Sequence, residues 1–220
     1  MIDIFDMLGP IMVGPSSSHT AGAARLGYAA GKILGEPAVR AVIRLSGSFA
    51  QTYRGHGTDK ALLAGILGFA PDDARIRDSL SLAEREGLRY EFHCEDLPGV
   101  HPNTACVTLT GSGGKEVTVQ GASVGGGNIL VSEINGMAVH VTGQSNTLVV
   151  LHLDKPGTIA AVTNFVACSS MNIGNFRLSR PQKGGEAVMT IEVDGEVPEN
   201  LVENLKVLPN IIQVVLIRAV

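Results

Sequence analysis

From residue 147 to the end, the sequence repeats one rhythm that few folds can accommodate. Residues 147–153 read as a strand, Asp154-Lys155-Pro156-Gly157 as a turn and 158–170 as a helix. A strand over 171–179, a Gly-Gly turn at 184–185 and a strand over 186–193 follow. A helix over 198–206 and a strand over 211–218 end the chain. In the first helix, Ile159, Val162, Phe165, Val166 and Cys168 fall on the face that periodicity turns inward. A βαββαβ order in about 70 residues closes into a single sheet with two helices. The small polar run Gly143-Gln144-Ser145-Asn146 sets this tail apart. It marks the expected boundary between a domain over 1–142 and one over 147–220, with 143–146 as linker.

The remaining 142 residues must find a core without large rings. There is no Trp and aromatics make up 4%, against 45% apolar residues, so the interior is aliphatic. Few aromatics leave no stacking platform for single-stranded nucleic acid. A net charge of -4 without a Lys/Arg cluster argues against a phosphate-backbone partner. The first six residues carry two acids and no base, unlike a signal peptide, and the longest apolar run, 61–70, is too short for a membrane span. These features predict a cytoplasmic chain. The three cysteines, Cys94, Cys106 and Cys168, form no C-x-x-C pair, so no metal site is read from this sequence.

Along 1–142, a short apolar lead-in breaks at Gly9-Pro10, and a helix from about 20 to 34 ends at Gly35. Alternation predicts a half-buried strand over 38–48, followed by a loop that carries His56. A short helix over 59–69 and a charged amphipathic helix over 72–87 come next. A strand over 88–94 turns Cys94 toward the core and His93 outward. Further strands are expected at 104–110, 115–121, 128–134 and 137–142, with Asn135-Gly136 as a hairpin turn. Gly125-Gly126-Gly127 lacks the spacing of a dinucleotide fingerprint and precedes a strand, which favours a tight turn. The whole is α/β (α+β): a mixed αβ substrate-binding-type domain, then a ferredoxin-like βαββαβ domain.

One stretch is over-furnished for its place. Gly14-Pro15 is followed by Ser16, Ser17, Ser18, His19 and Thr20 immediately before the first helix. A helix start presents unpaired N–H groups and a partial positive charge, a ready site for a carboxylate or phosphate. One hydroxyl would suffice as a cap. Five polar groups in a row exceed that need, and His19 would stand beside the anion as a proton carrier. Two other histidines sit where Gly or Pro fixes the backbone: His56 in Gly55-His56-Gly57-Thr58-Asp59, and His101 in His101-Pro102-Asn103.

These stretches, with Gly125-Gly126-Gly127-Asn128, resemble in order the motifs of the iron–sulfur-dependent L-serine dehydratases, which deaminate serine to pyruvate and ammonia. The chain resembles the β subunit of the two-chain form. The resemblance implies that His19, His56 and His101 serve catalysis. It also implies that Ser16, Ser17, Ser18, Thr20, Asp59, Asn103 and Asn128 bind substrate. A [4Fe–4S] cluster would be ligated by a partner α chain. The tail resembles an ACT domain, a small amino-acid-binding module. That resemblance implies a regulatory ligand near Asp154, Gly157, Asn172 and Ile173. The alternative for the tail is assembly without a ligand, homodimerisation through the edge strands of its ferredoxin-like unit. The first domain is also similar to the allosteric substrate-binding domain of some phosphoglycerate dehydrogenases. That similarity implies an alternative function as a non-catalytic, serine-sensing module of a partner enzyme such as a dehydrogenase.

Overall fold

A computed structural model describes residues 13–198 and 200–219. The expected break at Gly9-Pro10 lies outside them. The chain divides into two compact units, Met1–Val131 and Ser132–Val220.

In the first unit a π-helical turn, Ser17–Gly22, leads directly into helix α1, Ala23–Leu34. Gly35, with φ 78°, ends it as expected. Strand β1, Ala38–Leu45, is followed by helix α2, Gly47–His56, and helix α3, Thr58–Ile66. A 3₁₀ turn, Ala74–Asp78, and helix α4, Ser79–Arg85, stand where one amphipathic helix was expected. Strands β2, Arg89–Cys94, β3, Thr104–Gly111, and β4, Glu116–Gly125, come next. Strand β5, Asn128–Ile134, begins in this unit.

The strand order β2-β1-β3-β4-β5 needs one parallel pair, β1 with β2, and the helices α2 to α4 supply that crossover. Register puts Ala41, Ile43 and Leu45 beside Leu109, Val107 and Ala105, and these beside Val117, Val119 and Gly121. That face is apolar and buried. The opposite face carries Arg40, Arg44, Cys106, Thr108, Thr118 and Gln120 by the same alternation. Leu26 of α1 presses onto the apolar face, where a Cβ on Gly121 would come within 2.7 Å of its Cδ1.

Helices α1 and α3 cross at backbone contact. A Cβ on Gly27 would lie 2.2 Å from the Leu62 carbonyl oxygen, and one on Gly65 only 2.0 Å from that of Ala24. Glycine is obligatory at this crossing because any side chain would force the helices apart. The result fixes the start of α1, and with it the seryl-histidyl stretch, above the strands.

Two further expectations fail in this unit. The loop after β1 is the helix α2, so His56 is its last residue rather than a loop histidine. Gly57, in the left-handed region at φ 72°, ends α2 and directly precedes α3. Cys94 is exposed, not core: β2 is the edge strand, and its thiol reaches the Ala50 carbonyl at 3.4 Å.

The second unit takes up the end of β5, which turns at Asn135-Gly136 into strand β6, Met137–Val141. Both turn residues have positive φ, 50° and 76°, as a two-residue hairpin demands. Residues 142–145 join β6 to strand β7, Asn146–Leu153. Then follow helix α5, Thr158–Cys168, strand β8, Ile173–Ser179, and strand β9, Glu186–Val193. Helix α6, Leu201–Lys206, and strand β10, Ile211–Ile217, complete the expected βαββαβ order. The sheet runs β10-β7-β9-β8. Leu148, Val150, Met189, Ile191 and Val214 of the strands close one core with Val162, Val166, Leu201 and Leu205 of the helices. Ile159 and Cys168, expected inside, are exposed, because α5 turns a narrow stripe centred on Val162 and Val166 to the sheet. Among the described residues no helix is long and apolar enough to cross a membrane.

Candidate active site

His19 is the hub of the first unit's polar residues. It lies inside the π-helical turn, a distortion that places side chains where a regular helix would not. Ser16 caps the turn: its Oγ accepts the His19 N–H at 3.3 Å and lies 3.3 Å from the ring Nδ1. On the other side Nε2 stands 3.1 Å from Ser48 Oγ, in the first turn of α2. The Phe49 ring meets His19 edge-on at a centroid distance of 5.2 Å. His56, at the far end of α2, meets it edge-on at 4.9 Å. One ring thus sits between two hydroxyls and beside a second imidazole. Hydroxyls can donate or accept, so either tautomer of His19 finds a partner at each nitrogen.

Burial pushes the His19 titration below the ordinary 6.5, the neighbouring His56 adds to that, and a hydrogen bond at Ser48 works the other way. The imidazole is therefore neutral near pH 7, the form that accepts a proton.

Thr20, next in the chain, is 2% exposed. Among the described residues its Oγ1 has no hydrogen-bond partner. It lines a cavity of about 300 Å³ whose wall also includes Gly14, Arg54, His56, Gly57, Lys60 and Arg77. Asp59, in the first turn of α3, is half-buried, and its Oδ1 accepts the Lys60 N–H at 2.8 Å. Burial pushes its carboxyl up, against the pull of Lys60 and Arg54. Ser17 and Ser18 are half-buried in the π-helical turn.

The other expected residues lie on neighbouring loops. Asn103 Nδ2 donates to the Ser123 carbonyl at 3.4 Å, and the Ser123 N–H donates to the Asn103 carbonyl at 3.0 Å. Ser123 in turn abuts Gly22 of the π-helical turn, where a Cβ would come within 2.1 Å of its Oγ. His101 is exposed, and its Nδ1 accepts the Asn103 N–H at 3.1 Å within its own loop. The adjacent Pro102 carbonyl accepts the Phe49 N–H of α2 at 3.3 Å. Asn128 starts β5 beside the triple-glycine turn, where Arg25 of α1 donates to the Gly127 carbonyl at 2.9 Å. The structure thus brings together Ser16, His19 and His56. It keeps the ring of His101 engaged with its own loop.

Sequence reasoning missed Ser48, Arg54, Lys60 and Arg77. Ser48 follows the Gly47 that opens an unforeseen helix. The three cations are scattered over 54–77 and form no run.

In the tail, Asp154 holds its own turn. Its Oδ2 accepts the Gly184 N–H at 2.9 Å and also pairs with Arg180. Those partners, Gly184 first, hold its carboxyl below the usual range. Asp154 and Gly157 face a cavity of about 430 Å³ with Lys155, Ile159 and Lys183. Asn172 Nδ2 donates to Asp194 at 2.7 Å. The register fixes where these groups stand. Ile173 pairs Val193, which pairs Asn146 at the start of β7, whereas Asp154 follows the end of that strand. Asp154 and Gly157 therefore lie at one end of the sheet, and Asn172 and Ile173 at the other. Within one chain they do not share a pocket.

Residues 3–87 match the family described as "Serine dehydratase beta chain", and residues 148–213 match the "AHAS small subunit-like ACT domain". The chain is 46% identical over 211 residues to the probable L-serine dehydratase beta chain of Bacillus subtilis (strain 168), covering 96% of each. It is 39% identical to the L-serine dehydratase beta chain of Peptoniphilus asaccharolyticus, covering 90% of this chain and 89% of that one. A shorter match, 31% identical over 103 residues, covers 47% of this chain and 20% of the D-3-phosphoglycerate dehydrogenase of Methanocaldococcus jannaschii. Identity at this level along nearly the whole length makes the chain a member of the serine dehydratase beta-chain family, with an ACT domain at its C-terminus.

Proposed function

We propose that this chain is the β subunit of a cytoplasmic, two-chain L-serine dehydratase, contributing part of an active site that an α subunit completes. The observation that carries the proposal is the His19 imidazole, held neutral by burial between the Ser16 and Ser48 hydroxyls and beside His56. It is supported by the full-length likeness to two relatives named L-serine dehydratase beta chain.

Deamination of serine removes the Cα proton and the β-hydroxyl, leaving an enamine. The enamine tautomerises to an imine, and water converts the imine to pyruvate and ammonia. This chain's part is acid–base and positional. His19 accepts a proton at whichever nitrogen is unprotonated, and the hydroxyl on the other side holds the N–H in place. His56 is the second exchangeable site, and help of this kind is worth about 10²–10⁴-fold. Ser16, Ser17, Ser18 and Thr20 border the substrate carboxylate. His101 and Asn103 approach from the loop before β3, Asn128 from the first position of β5, and Asp59 from α3.

The family resemblance implies a [4Fe–4S] cluster. The described residues of this chain do not fit one: no three His, Cys, Asp or Glu side chains gather into a metal-holding group. Cys94 and Cys168 are exposed at separate places, and Cys106 is buried beside Arg44. We assign the ligands of the cluster to the α subunit.

The tail from 147 is the regulatory part. Among the described residues its strand β8 lies at the edge of the sheet, bonded to β9 alone, which supports pairing with a second copy. Ligand binding there remains tied to Asp154, Gly157, Asn172 and Ile173, as two half-sites at opposite ends of the sheet.

The test is anaerobic co-expression with the α-type chain, followed by a pyruvate assay on L-serine. Pyruvate that requires both chains is expected. The phosphoglycerate dehydrogenase match supports a second reading, a serine sensor without chemistry. Serine binding to this chain without any pyruvate from the pair would favour it.

A further inference from the structure

Arg25 is a half-buried cation in the first turn of α1 to which the proposed chemistry gives no part. Among the described residues no carboxylate pairs with it. Its Nε is buried and has no hydrogen-bond partner among them. Burial pushes its titration below the ordinary value, and no acid acts the other way. A guanidinium withdrawn from water without a carboxylate is costly, so what it does hold is informative. It holds one backbone carbonyl: Nη1 donates to Gly127 at 2.9 Å.

That carbonyl belongs to a turn that cannot hold itself. Gly125, Gly126 and Gly127 stand in succession at φ 105°, 59° and 82°. Glycine reaches such angles freely, and three in a row leave many other conformations open. A Cβ on Gly125 would meet nothing within 4 Å, so the surroundings do not wedge the turn in place. Among the described residues no side chain other than Arg25 bonds it. Asn128 follows, and its Nδ2 lies back over the turn, 3.6 Å from where a Cβ on Gly126 would stand. The conformation of the turn therefore sets the place of that amide.

The other end of the contact is fixed. Gly22 closes the π-helical turn with helical angles, φ -63° and ψ -40°, so Arg25, three residues on, shares its helix face. Gly22 abuts Ser123 of β4, and Ser123 is bonded to Asn103 through both backbone and side chain. Along one helix face, Gly22 thus meets Ser123 with Asn103, and Arg25 meets the glycine turn with Asn128.

We propose that Arg25 is a positioning residue: it clamps the glycine turn through the Gly127 carbonyl and so holds Asn128 in register with residues 16–20. Its part in turnover rests on the reading of this chain as half of a dehydratase site. The clamp itself rests on the geometry alone.

The test is steady-state turnover of the two-chain enzyme on L-serine, together with amide hydrogen exchange of residues 124–128 in the full chain without its partner. Arg25→Met keeps the length of the stem and removes the donor. It is expected to raise KM for L-serine about tenfold with kcat within about threefold, and to speed exchange in the turn. Arg25→Lys still offers a donor to a single carbonyl and is expected to recover most of both. Asn128→Ala is expected to raise KM by itself. Adding Arg25→Met to it should cost less than about twofold more, because the clamp acts through Asn128. The proposal is overturned if Arg25→Met leaves KM and exchange unchanged, if Arg25→Lys is no better than Arg25→Met, or if the effects of Arg25→Met and Asn128→Ala multiply. It is equally overturned if Arg25→Met lowers kcat and the thermal midpoint together, the mark of a general loss of structure. Absence of pyruvate from the unaltered pair overturns the dehydratase reading instead, and the exchange measurement then decides the clamp by itself.

Discussion

The two units of this chain treat their polar groups in opposite ways. In the tail, the residues expected to meet a ligand are already paired: Asp154 with Gly184 and Arg180, Asn172 with Asp194. In the first unit, polar groups gather without closing on one another. His19 is held between hydroxyls that leave its protonation open, and among the described residues the buried Thr20 Oγ1 has no hydrogen-bond partner. A turn motif that satisfies itself stabilises a fold. A cluster left unsatisfied in a tight backbone frame is prepared for something that arrives. The difference supports the proposal of chemistry in the first unit, and of assembly or regulation in the tail.

That contrast can be broken by substitution, and the largest effect is expected at His56. His56→Ala should lower the turnover of the two-chain enzyme by about 10²-fold or more while the chains still associate, because the ring is exposed and removes no core. Near-normal turnover would leave His56 a cap-adjacent residue and no more.

Next comes the frame that holds the cluster. Gly65→Ala puts a Cβ about where the Ala24 carbonyl stands, 2.0 Å away, and 2.6 Å from the Tyr28 nitrogen. Neither backbone atom can swing aside. Denaturant unfolding should show a loss of about 3 kcal/mol. A loss below about 0.5 kcal/mol would mean that the helices α1 and α3 do not set the frame.

The smallest effect is expected in the tail and depends on pH. Gly184 and Arg180 hold the Asp154 carboxyl below its ordinary 3.8. Its stabilising contribution is therefore present above pH 3.8 and lost as pH falls through the lower folded value. Asp154→Asn should lower the thermal midpoint slightly at neutral pH, and the gap to the unaltered chain should close as pH drops below 3.8. A gap independent of pH would mean that the carboxylate's charge does not hold the turn.

How far these features could be read in advance differs element by element. The tail was legible because each strand and helix carries its own period and each turn its own Gly, Pro or Asn. The Asn135-Gly136 hairpin and the end of α1 at Gly35 were legible for the same local reason. Helix α2 was not. Gln51 to Gly57 is polar and holds two glycines, only Phe49 of α2 is buried, and the helix is held from outside by the Pro102 carbonyl. That error turned His56 into a loop residue and hid Ser48. The π-helical turn has no sequence signature that separates it from an ordinary helix start. Ser16, His19 and Thr20 were legible as a surplus of polar groups, but their partners come from residues 48 to 77, and only the crossover between β1 and β2 brings those alongside. His101 carried the same loop chemistry in sequence, yet its ring bonds the backbone two residues on.

The most direct measurement is the turnover of the reconstituted two-chain enzyme carrying His19→Ala, read as pyruvate formed from L-serine, with association of the chains checked in the same preparation. Loss of about 10²-fold or more with the complex intact is predicted, since His19 is the group between the hydroxyls. Turnover near that of the unaltered enzyme would contradict the assignment of chemistry to the first unit.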